Sequence, residues 1–237
     1  MEISLLGKRR HIPLNGLNVS RRLEFSLLQR YLAPNQGELV LDIACGDGYW
    51  TSKLSQTHCQ IIGFDLNRDR LRQAKATLNS GGSFVCSDAH ILPFADAVFD
   101  KAIGVCVLEH FFDDRKALVE LHRVLKPGGQ LALTVDSFSH PSIKACEKEA
   151  HAVKYAVVQF YTKTQLESLL GDSGFEVLQW RYLLNTSPSA WLYRCSLKHP
   201  KLAYLIFPFS YLISLCSEHW TKTKSGGYKL AVLARAL

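Results

Sequence analysis

Three aspartates stand at or just after the ends of apolar runs, and their positions suggest chemistry. Asp42 lies in LVLDI, Asp65 ends QIIGFD and Asp88 ends SFVCSD. Each run is typical of a buried strand, and right-handed crossovers place the carboxyl ends of parallel strands at one edge of a sheet. We therefore expect the three carboxylates to face a common cleft, where such sheets bind their ligands.

Two glycines, Gly46 and Gly48, follow the first aspartate. Glycine lets the backbone turn tightly and come close to a ligand, and the helix expected after the turn directs its free N–H groups into the same space. A dinucleotide fold needs G-x-G-x-x-G, but the third glycine position is Thr51. An acid at Asp42, pointing towards the cleft, would also repel a pyrophosphate. An NAD-dependent oxidoreductase is therefore a disfavoured alternative.

The same acids suit a ligand with a positive end. Asp65, at the end of the second strand, is placed to accept hydrogen bonds from ribose hydroxyls. Together these features predict a nucleoside that carries a cation instead of phosphates. S-adenosylmethionine, with its adenosine, sulfonium and ammonium groups, fits this description.

The elements that must position these residues alternate between strand and helix. A first helix is predicted over 20–33, with Ser20 as a cap, and later helices have Asn67 and either Asp113 or Asp114 as caps. A Lys-Pro-Gly-Gly turn precedes the fifth strand, and helices over 141–158 and from Thr164 precede the sixth. The strands are predicted at 37–43, 60–65, 83–88, 99–107, 130–135, 174–184 and 229–237. This order predicts an α/β fold of Rossmann-like type, a mostly parallel sheet with helices on both faces.

Four motifs in order resemble a known family. LDIACGDGYW looks like the first motif of the class I S-adenosylmethionine-dependent methyltransferases. SDAHILPFADAVFD, VLEH and LHRVLKPGGQLALTV resemble the branch typified by the ubiquinone and menaquinone methyltransferases. The resemblance covers 37–136 and implies a seven-stranded sheet with the last strand antiparallel. We interpret 1–237 as a single domain, with 1–33 as a cap and 37–136 as the cofactor-binding core.

The resemblance implies a role for each matching residue around S-adenosylmethionine. The expected set is Asp42 and the backbone of Ala44, Cys45, Gly46 and Gly48 for the methionine moiety, Asp65 for the ribose, Leu66 against the adenine, Asp88 and the Ala89 backbone for the adenine amino group, and Val105 and Cys106 along the methionine side. Arg21 or Arg22 is a candidate for the cofactor carboxylate.

The expected reaction is an in-line displacement that leaves S-adenosylhomocysteine. Its rate depends mainly on alignment, and a base is needed only where the nucleophile is protonated. No residue stands out as that base, and the candidates are His110, His140, His151 and Tyr161. No metal is predicted. A catalytically silent module that binds the cofactor or a partner remains an alternative.

The segment 185–226 departs from the family pattern, in which a short turn joins the last two strands. Residues 202–216 are nearly all apolar or aromatic, although Pro208 interrupts them. A lid or pocket wall, a packing element and a peripheral membrane contact are all compatible with this composition. The acceptor is expected to be small and fairly apolar: a quinol or phenol, a lipid precursor, or a secondary metabolite.

Composition narrows the remaining classes of function. The formal charge of +7 comes from scattered basic residues, and the seven cysteines form no C-x-x-C pair, so nucleic-acid binding is disfavoured and free thiols are expected. The first residues lack the apolar segment of a signal peptide, which favours a cytoplasmic location. The sequence does not indicate an oligomeric state.

Overall fold

The computed structural model describes residues 18–77, 82–199, 207–220 and 226–237. Its strands are β1 Leu39–Ile43, β2 Gln60–Asp65, β3 Gly82–Cys86, β4 Phe99–Val105, β5 Leu125–Asp136, β6 Phe175–Leu183 and β7 Lys229–Ala236. Its helices are α1 Val19–Leu32, α2 Tyr49–Leu54, α3 Arg68–Thr77, α4 Asp114–Val124, α5 Ala145–Tyr155, α6 Lys163–Asp172, α7 Ser187–Lys198 and α8 Phe207–Trp220.

The seven strands form one sheet in the order β3-β2-β1-β4-β5-β7-β6. The first five strands in this order are parallel, and β7 runs antiparallel to both β5 and β6. The predicted fold class is thereby confirmed. The strand order reverses beside β1, because β2 lies on one side of it and β4 on the other, and ligands bind open α/β sheets at such a switch point.

The core occupies both faces of the sheet, because successive side chains of a strand point to opposite faces. Leu41 of β1 packs with the buried faces of α4 and α6 on one side. Val40, its neighbour in the chain, packs with α1 and α2 on the other. Because the strands are apolar on both faces, helices must cover both sides of the sheet to keep these side chains from solvent.

Helix caps explain several of the element boundaries. The side chain of Asn18, and not Ser20, caps α1, and Ser20 lies inside the helix, where its hydroxyl donates to Glu24. The predicted caps Asn67 and Asp113 are confirmed, since each side chain accepts hydrogen bonds from the backbone at the start of its helix.

Two predicted segments differ most from the structure. The Lys-Pro-Gly-Gly segment is part of β5: Leu125 pairs with Phe99, the register then shifts, and Gln130 pairs with Lys101. Gly128, at φ +78°, lies in this irregular stretch. The helix predicted over 141–158 is shorter, because it ends where Ala156 takes the left-handed conformation.

The segment before the last strand contains α7 and α8, while 200–206 and 221–225 lie outside the described residues, as do 1–17 and 78–81. Helix α8 packs against α7 and α1. The guanidinium of Arg22 lies 5.4 Å from the centroid of the Phe207 ring and 5.5 Å from that of Tyr211. Within the described ranges, no helix combines the length and apolar character that crossing a bilayer requires.

Candidate functional site

A cavity of about 430 Å³ opens at the carboxyl ends of β1, β2, β3 and β4. It lies at the switch point of the sheet, where the sequence predicted a cleft. Nine of the predicted residues line it: Ala44, Cys45, Asp65, Leu66, Asp88, Ala89, Val105, Cys106 and His110. Arg21 also lines it, whereas Arg22 does not and instead packs on α8.

Asp65 presents a buried carboxylate to this cavity. Its Oδ2 accepts a hydrogen bond from the backbone N–H of Gly46 at 2.9 Å, and its Oδ1 accepts one from that of Asn67 at 2.8 Å. These bonds fix the carboxylate at the end of β2 and tie the glycine turn to it. Each carboxylate oxygen can accept a further bond, so Asp65 retains capacity for hydroxyl donors of a ligand.

Asp88 offers a second carboxylate at the end of the next strand. Its Oδ1 accepts bonds from the backbone N–H of His90 at 3.0 Å and from Nδ1 of the same residue at 2.5 Å. The backbone bond is the main cause that lowers the pKa of Asp88 below its ordinary value. The group is therefore an ionised acceptor, which suits an amino donor.

The glycine turn has the geometry that the sequence predicted. Gly46 and Gly48 have φ values of +60° and +73°, a region that side chains rarely adopt. A Cβ on Gly46 would lie 2.2 Å from the guanidinium of Arg70, which reaches over the turn from α3. A Cβ on Gly48 would lie 2.9 Å from that of Ala74, so this glycine serves the packing of α3.

Asp42 is not among the residues that line the cavity. Its side chain is buried, and its Oδ2 accepts a 2.6 Å hydrogen bond from the hydroxyl of Thr51 in α2. Burial raises the pKa of Asp42 to about 7. Thr51, which stands at the third glycine position of the dinucleotide motif, is thus the hydrogen-bond partner of Asp42. The role of Asp42 in holding the methionine moiety stays a prediction.

The residues around the cavity fit S-adenosylmethionine. Two carboxylate acceptors, Asp65 and Asp88, match the donors of a ribose and an adenine. Leu66, which is 71% exposed, offers an apolar surface in the same lining. Arg21, whose guanidinium donates to the Val105 carbonyl at 2.6 Å, supplies a cation at the end of the cavity that is expected to hold the methionine moiety.

A buried polar network adjoins this end of the cavity. The Glu24 carboxylate accepts hydrogen bonds from the Thr134 hydroxyl at 2.8 Å and the Cys106 thiol at 2.7 Å. The Lys229 ammonium donates to Cys106 Sγ at 3.1 Å and forms an ion pair with Asp136. Burial alone would lower the pKa of Lys229, but the Asp136 carboxylate is the chief cause that raises it well above its ordinary value.

Three potential metal ligands meet in this network. One ligand atom from each of Cys106, Glu109 and Asp136 lies within 4.8 Å of the others. The Lys229 ammonium, however, already pairs with Asp136 and contacts the Cys106 sulfur. A cation of the protein itself therefore occupies this position, and the absence of a metal stays a prediction.

The four candidate bases lie in different surroundings. His110 lines the cofactor cavity, and its Nδ1 lies 3.2 Å from the Ala156 carbonyl. His140 pairs with the Ser142 hydroxyl at 2.8 Å. Tyr161 is buried in the core, and its hydroxyl donates to Asp114 at 2.8 Å. Of these four side chains, only that of His151 is joined to the buried network, through a 2.8 Å contact between its Nε2 and Oδ2 of Asp136.

Sequence reasoning missed Asp136, Lys229 and Glu24. Asp136 ends β5, so the rule that identified Asp42, Asp65 and Asp88 also applies to it. Neither Glu24 nor Lys229 stands out in the sequence, because other charged residues occur in the same segments and only the packing shows that these two are buried.

The fold and cavity define an α/β nucleoside-binding protein of the class I methyltransferase type, and comparisons with known proteins agree. A model of the methyltransferase domain matches residues 41–133. The O-methyltransferase rstn1 of Aspergillus nomiae is 30% identical over 167 residues, which are 66% of this chain and 72% of that protein. The chain therefore belongs to the S-adenosylmethionine-dependent methyltransferases.

Two further relatives give the range of the family. The O-methyltransferase cnsE of Penicillium expansum is 31% identical over 156 residues, covering 62% of this chain and 55% of that protein. The demethylmenaquinone methyltransferase of Corynebacterium kroppenstedtii is 39% identical over 115 residues, covering 48% of each. The matches thus span about half of the length of each of these two relatives.

A solved structure agrees in fold. Phosphoethanolamine N-methyltransferase 2 of Haemonchus contortus, in complex with S-adenosyl-L-methionine, has a TM-score of 0.66 at 19% identity. The superposition covers 91% of this chain and 52% of that one.

Proposed function

We propose that this protein transfers the methyl group of S-adenosylmethionine to an oxygen of a small, fairly apolar acceptor. A quinol or phenol, a lipid precursor and a secondary metabolite are the classes considered. The observation that supports this most is the cavity at the switch point, where Asp65 and Asp88 present ionised or hydrogen-bonded carboxylates and no phosphate-binding glycine triad is present. The O-methyltransferases among the relatives favour oxygen as the methylated atom.

The proposed roles follow the geometry of the cavity. Asp65 would accept from the ribose hydroxyls and Asp88 from the adenine amino group, while Leu66 packs against the adenine. Arg21 would pair with the cofactor carboxylate, and Cys106 lies along the methionine side. When bound, S-adenosylmethionine supplies a sulfonium-activated methyl group, so the task of the protein is to align the acceptor oxygen with it. Such alignment is worth up to about 7–11 kcal/mol.

The segment before the last strand contributes to the acceptor side in this proposal. Helix α7 provides a wall of a second cavity, while α8 packs on α1 and α7. The outer side of this helix pair exposes Trp191, Phe209 and Leu212. A membrane contact of 202–216 stays a prediction, and 202–206 of that segment lie outside the described residues.

Two measurements test the proposal. Calorimetric titration with S-adenosylmethionine, S-adenosylhomocysteine and NADH is expected to show binding of the first two and none of NADH. Methyl transfer from radiolabelled cofactor is then measured with a set of phenols, quinols and long-chain alcohols. Binding of NADH alone would favour an oxidoreductase. Binding of S-adenosylmethionine without turnover of any acceptor would favour the silent binding module.

A further inference from the structure

Helix α8 turns its large apolar side chains outward. Phe209, Leu212, Ile213 and Cys216 are spaced three or four residues from one another along the chain, so they lie on one face of the helix. Phe209 is 74% exposed, Leu212 56% and Ile213 50%. A helix on the surface of a globular protein normally turns such a face to the core. The core is therefore not what this face is built to contact.

The opposite face of α8, which packs on the protein, carries small polar residues. Ser210 and Ser214 are both buried there. The Ser210 hydroxyl donates to the carbonyl of Phe207, one turn earlier in the same helix, so its hydrogen bond does not depend on the rest of the protein. Helix α8 thus reverses the usual distribution of polar and apolar residues, which is expected of a helix whose outer side has a partner of its own.

The apolar surface continues from α8 onto α7. A shallow groove lies between Leu212, Ile213 and Cys216 of α8 and Pro188 at the start of α7. Trp191, which is 63% exposed, follows Pro188 by one turn on α7. The outer face is defined here as Pro188, Trp191, Phe209, Leu212, Ile213 and Cys216. Contiguous exposed apolar surface of this kind marks an interaction site.

The chain around the outer face is basic. The segment 185–226 contains five basic residues and one acid, whereas the whole chain has a formal charge of +7. These residues are Arg194, Lys198, Lys201, Lys222, Lys224 and Glu218, of which the side chains of Arg194 and Lys198 are described. Arg194 pairs with Glu147 of α5, so the lysines supply the excess of positive charge.

This charge distinguishes between the partners that an apolar face can have. A second copy of the chain, docked about a twofold axis, would bring two basic segments together, and they would repel each other. The anionic headgroups of a membrane attract lysines that flank an apolar surface. Charge complementarity therefore favours a bilayer with anionic lipids over self-association.

The length of α8 determines how it can meet a bilayer. Its 14 residues extend about 21 Å at about 1.5 Å per residue, which is less than the hydrocarbon core of about 30 Å. The helix can therefore lie along the interface but cannot cross it. An exposed tryptophan beside the apolar residues, such as Trp191, is typical of proteins that bind at this level of the membrane.

From these observations we propose that the outer face docks on a bilayer that contains anionic phospholipids, with α8 parallel to the surface. Phe209, Leu212 and Ile213 enter the boundary between headgroups and acyl chains, Trp191 lies at the level of the headgroups, and the lysines face the phosphates. This docking requires neither the cofactor nor methyl transfer, so it goes beyond the proposed function.

The first experiment measures vesicle binding by the full chain. The protein is sedimented with vesicles of phosphatidylcholine alone and with vesicles of equal parts phosphatidylcholine and phosphatidylglycerol. We expect binding to the anionic vesicles, much weaker binding to the neutral ones, and a loss of affinity in about 0.5 M NaCl, where charges are screened. Failure to bind anionic vesicles at low salt would overturn the proposal.

The second experiment locates the binding surface. Phe209→Ser/Leu212→Ser should weaken binding to anionic vesicles about tenfold or more, because less apolar area enters the bilayer. Both side chains are exposed, so thermal unfolding should change little. Val119→Ser is the matched control: Val119 is 49% exposed on α4, which covers the other side of the sheet. Equal binding by the original protein and a folded double variant would exclude the outer face.

The third experiment tests the charge without touching the apolar residues. Lys198→Gln should weaken binding to anionic vesicles about fivefold at low salt and leave binding to neutral vesicles unchanged. Lys75→Gln, an exposed lysine of α3, is the control and should bind like the original protein. An unchanged affinity of Lys198→Gln would contradict the orientation that places this lysine at the headgroups.

Sedimentation velocity without vesicles tests the competing occupant. If the original protein self-associates, Phe209→Ser/Leu212→Ser abolishes this association and no vesicles are bound, the face belongs to a second copy and the proposal is overturned. The proposed function is tested separately by the titration with S-adenosylmethionine. A protein that binds vesicles but not the cofactor would refute the proposed function alone, and one that binds only the cofactor would refute this inference alone.

Discussion

Glu109 is the buried acid whose replacement tests the electrostatics of the site most directly. It is fully buried just after β4, and neither carboxylate oxygen has a hydrogen-bond partner among the described residues. Burial is the main cause that raises its pKa to about 8, the nearby Asp136 carboxylate adds to this, and the cations Lys229 and Arg21 oppose it. The folded protein therefore holds this side chain as a neutral acid at neutral pH.

The sign of the pH effect follows from this shift. The ordinary pKa is 4.5 and the folded value is about 8, so between these values the folded state binds more protons than the unfolded state. The free energy of unfolding must then fall as pH rises through this window. At about 1.4 kcal/mol per pKa unit, the full loss has an upper limit of about 5 kcal/mol, reached above pH 8. Asp42, whose pKa is raised to about 7, adds a loss of the same sign.

Glu109→Gln keeps the volume of the side chain and removes its titration. We expect the variant to be more stable than the original protein by a few kcal/mol above pH 8, and to retain only the part of the pH dependence that Asp42 supplies. Urea unfolding at a series of pH values between 5 and 9, followed by circular dichroism, measures this difference.

Glu120→Gln is the matched control. The hydrogen bond from Arg123 is the main cause that lowers the pKa of Glu120, so the loss of this carboxylate should leave the decline between pH 5 and 8 in place. If Glu109→Gln shows the same slope of stability against pH as the original protein, the buried carboxyl is not the neutral acid described above, and the reasoning is refuted.

Three further substitutions test the cofactor side. Asp65→Ala should weaken S-adenosylmethionine binding by about 1.5–3 kcal/mol by calorimetry, whereas Asp69→Ala, on the exposed surface of α3, should not; equal affinities would remove Asp65 from the site. Thr51→Val leaves the buried Asp42 carboxyl without its donor and should cost about 1–3 kcal/mol of stability in urea unfolding, with no loss meaning that another donor replaces it. Gly48→Ala combines a φ of +73° with a Cβ placed 2.9 Å from a side chain of α3, so we expect a clear drop in melting temperature, and an unchanged value would contradict the close packing.

Most of the cofactor side could be predicted because its signals are local. The strand runs, the Asn67 cap and the glycines of the turn are each read from a few neighbouring residues. Asp65 and Asp88 line the cavity because each ends or follows a parallel strand, and the parallel order follows from the alternation of strands and helices. The hydrogen bond between Asp42 and Thr51 could not be predicted in the same way, because Thr51 was interpreted only as the residue at the third glycine position.

The surroundings of His151 depend on the tertiary structure. His151 could be named as a candidate from the sequence, but its carboxylate partner could not. Asp136 and Lys229 are opposite each other because β7 enters the sheet antiparallel to β5 in one register, and a shift of one residue would turn Lys229 to the other face. Contacts between residues so far apart in the chain depend on that register.

The sequence by itself thus determined the alternation of elements, the family and the cofactor, through patterns that repeat over short distances. Only the tertiary structure decided which charges are buried together. The pairing of Lys229 with Asp136, the approach of Glu24 from α1 and the Glu109 carboxyl, which has no hydrogen-bond partner among the described residues, all arise where separate elements meet in the buried interior. A buried ionisable group either pairs with an opposite charge or becomes neutral. Which of the two occurs depends on the residues that the packing of the sheet brings next to it.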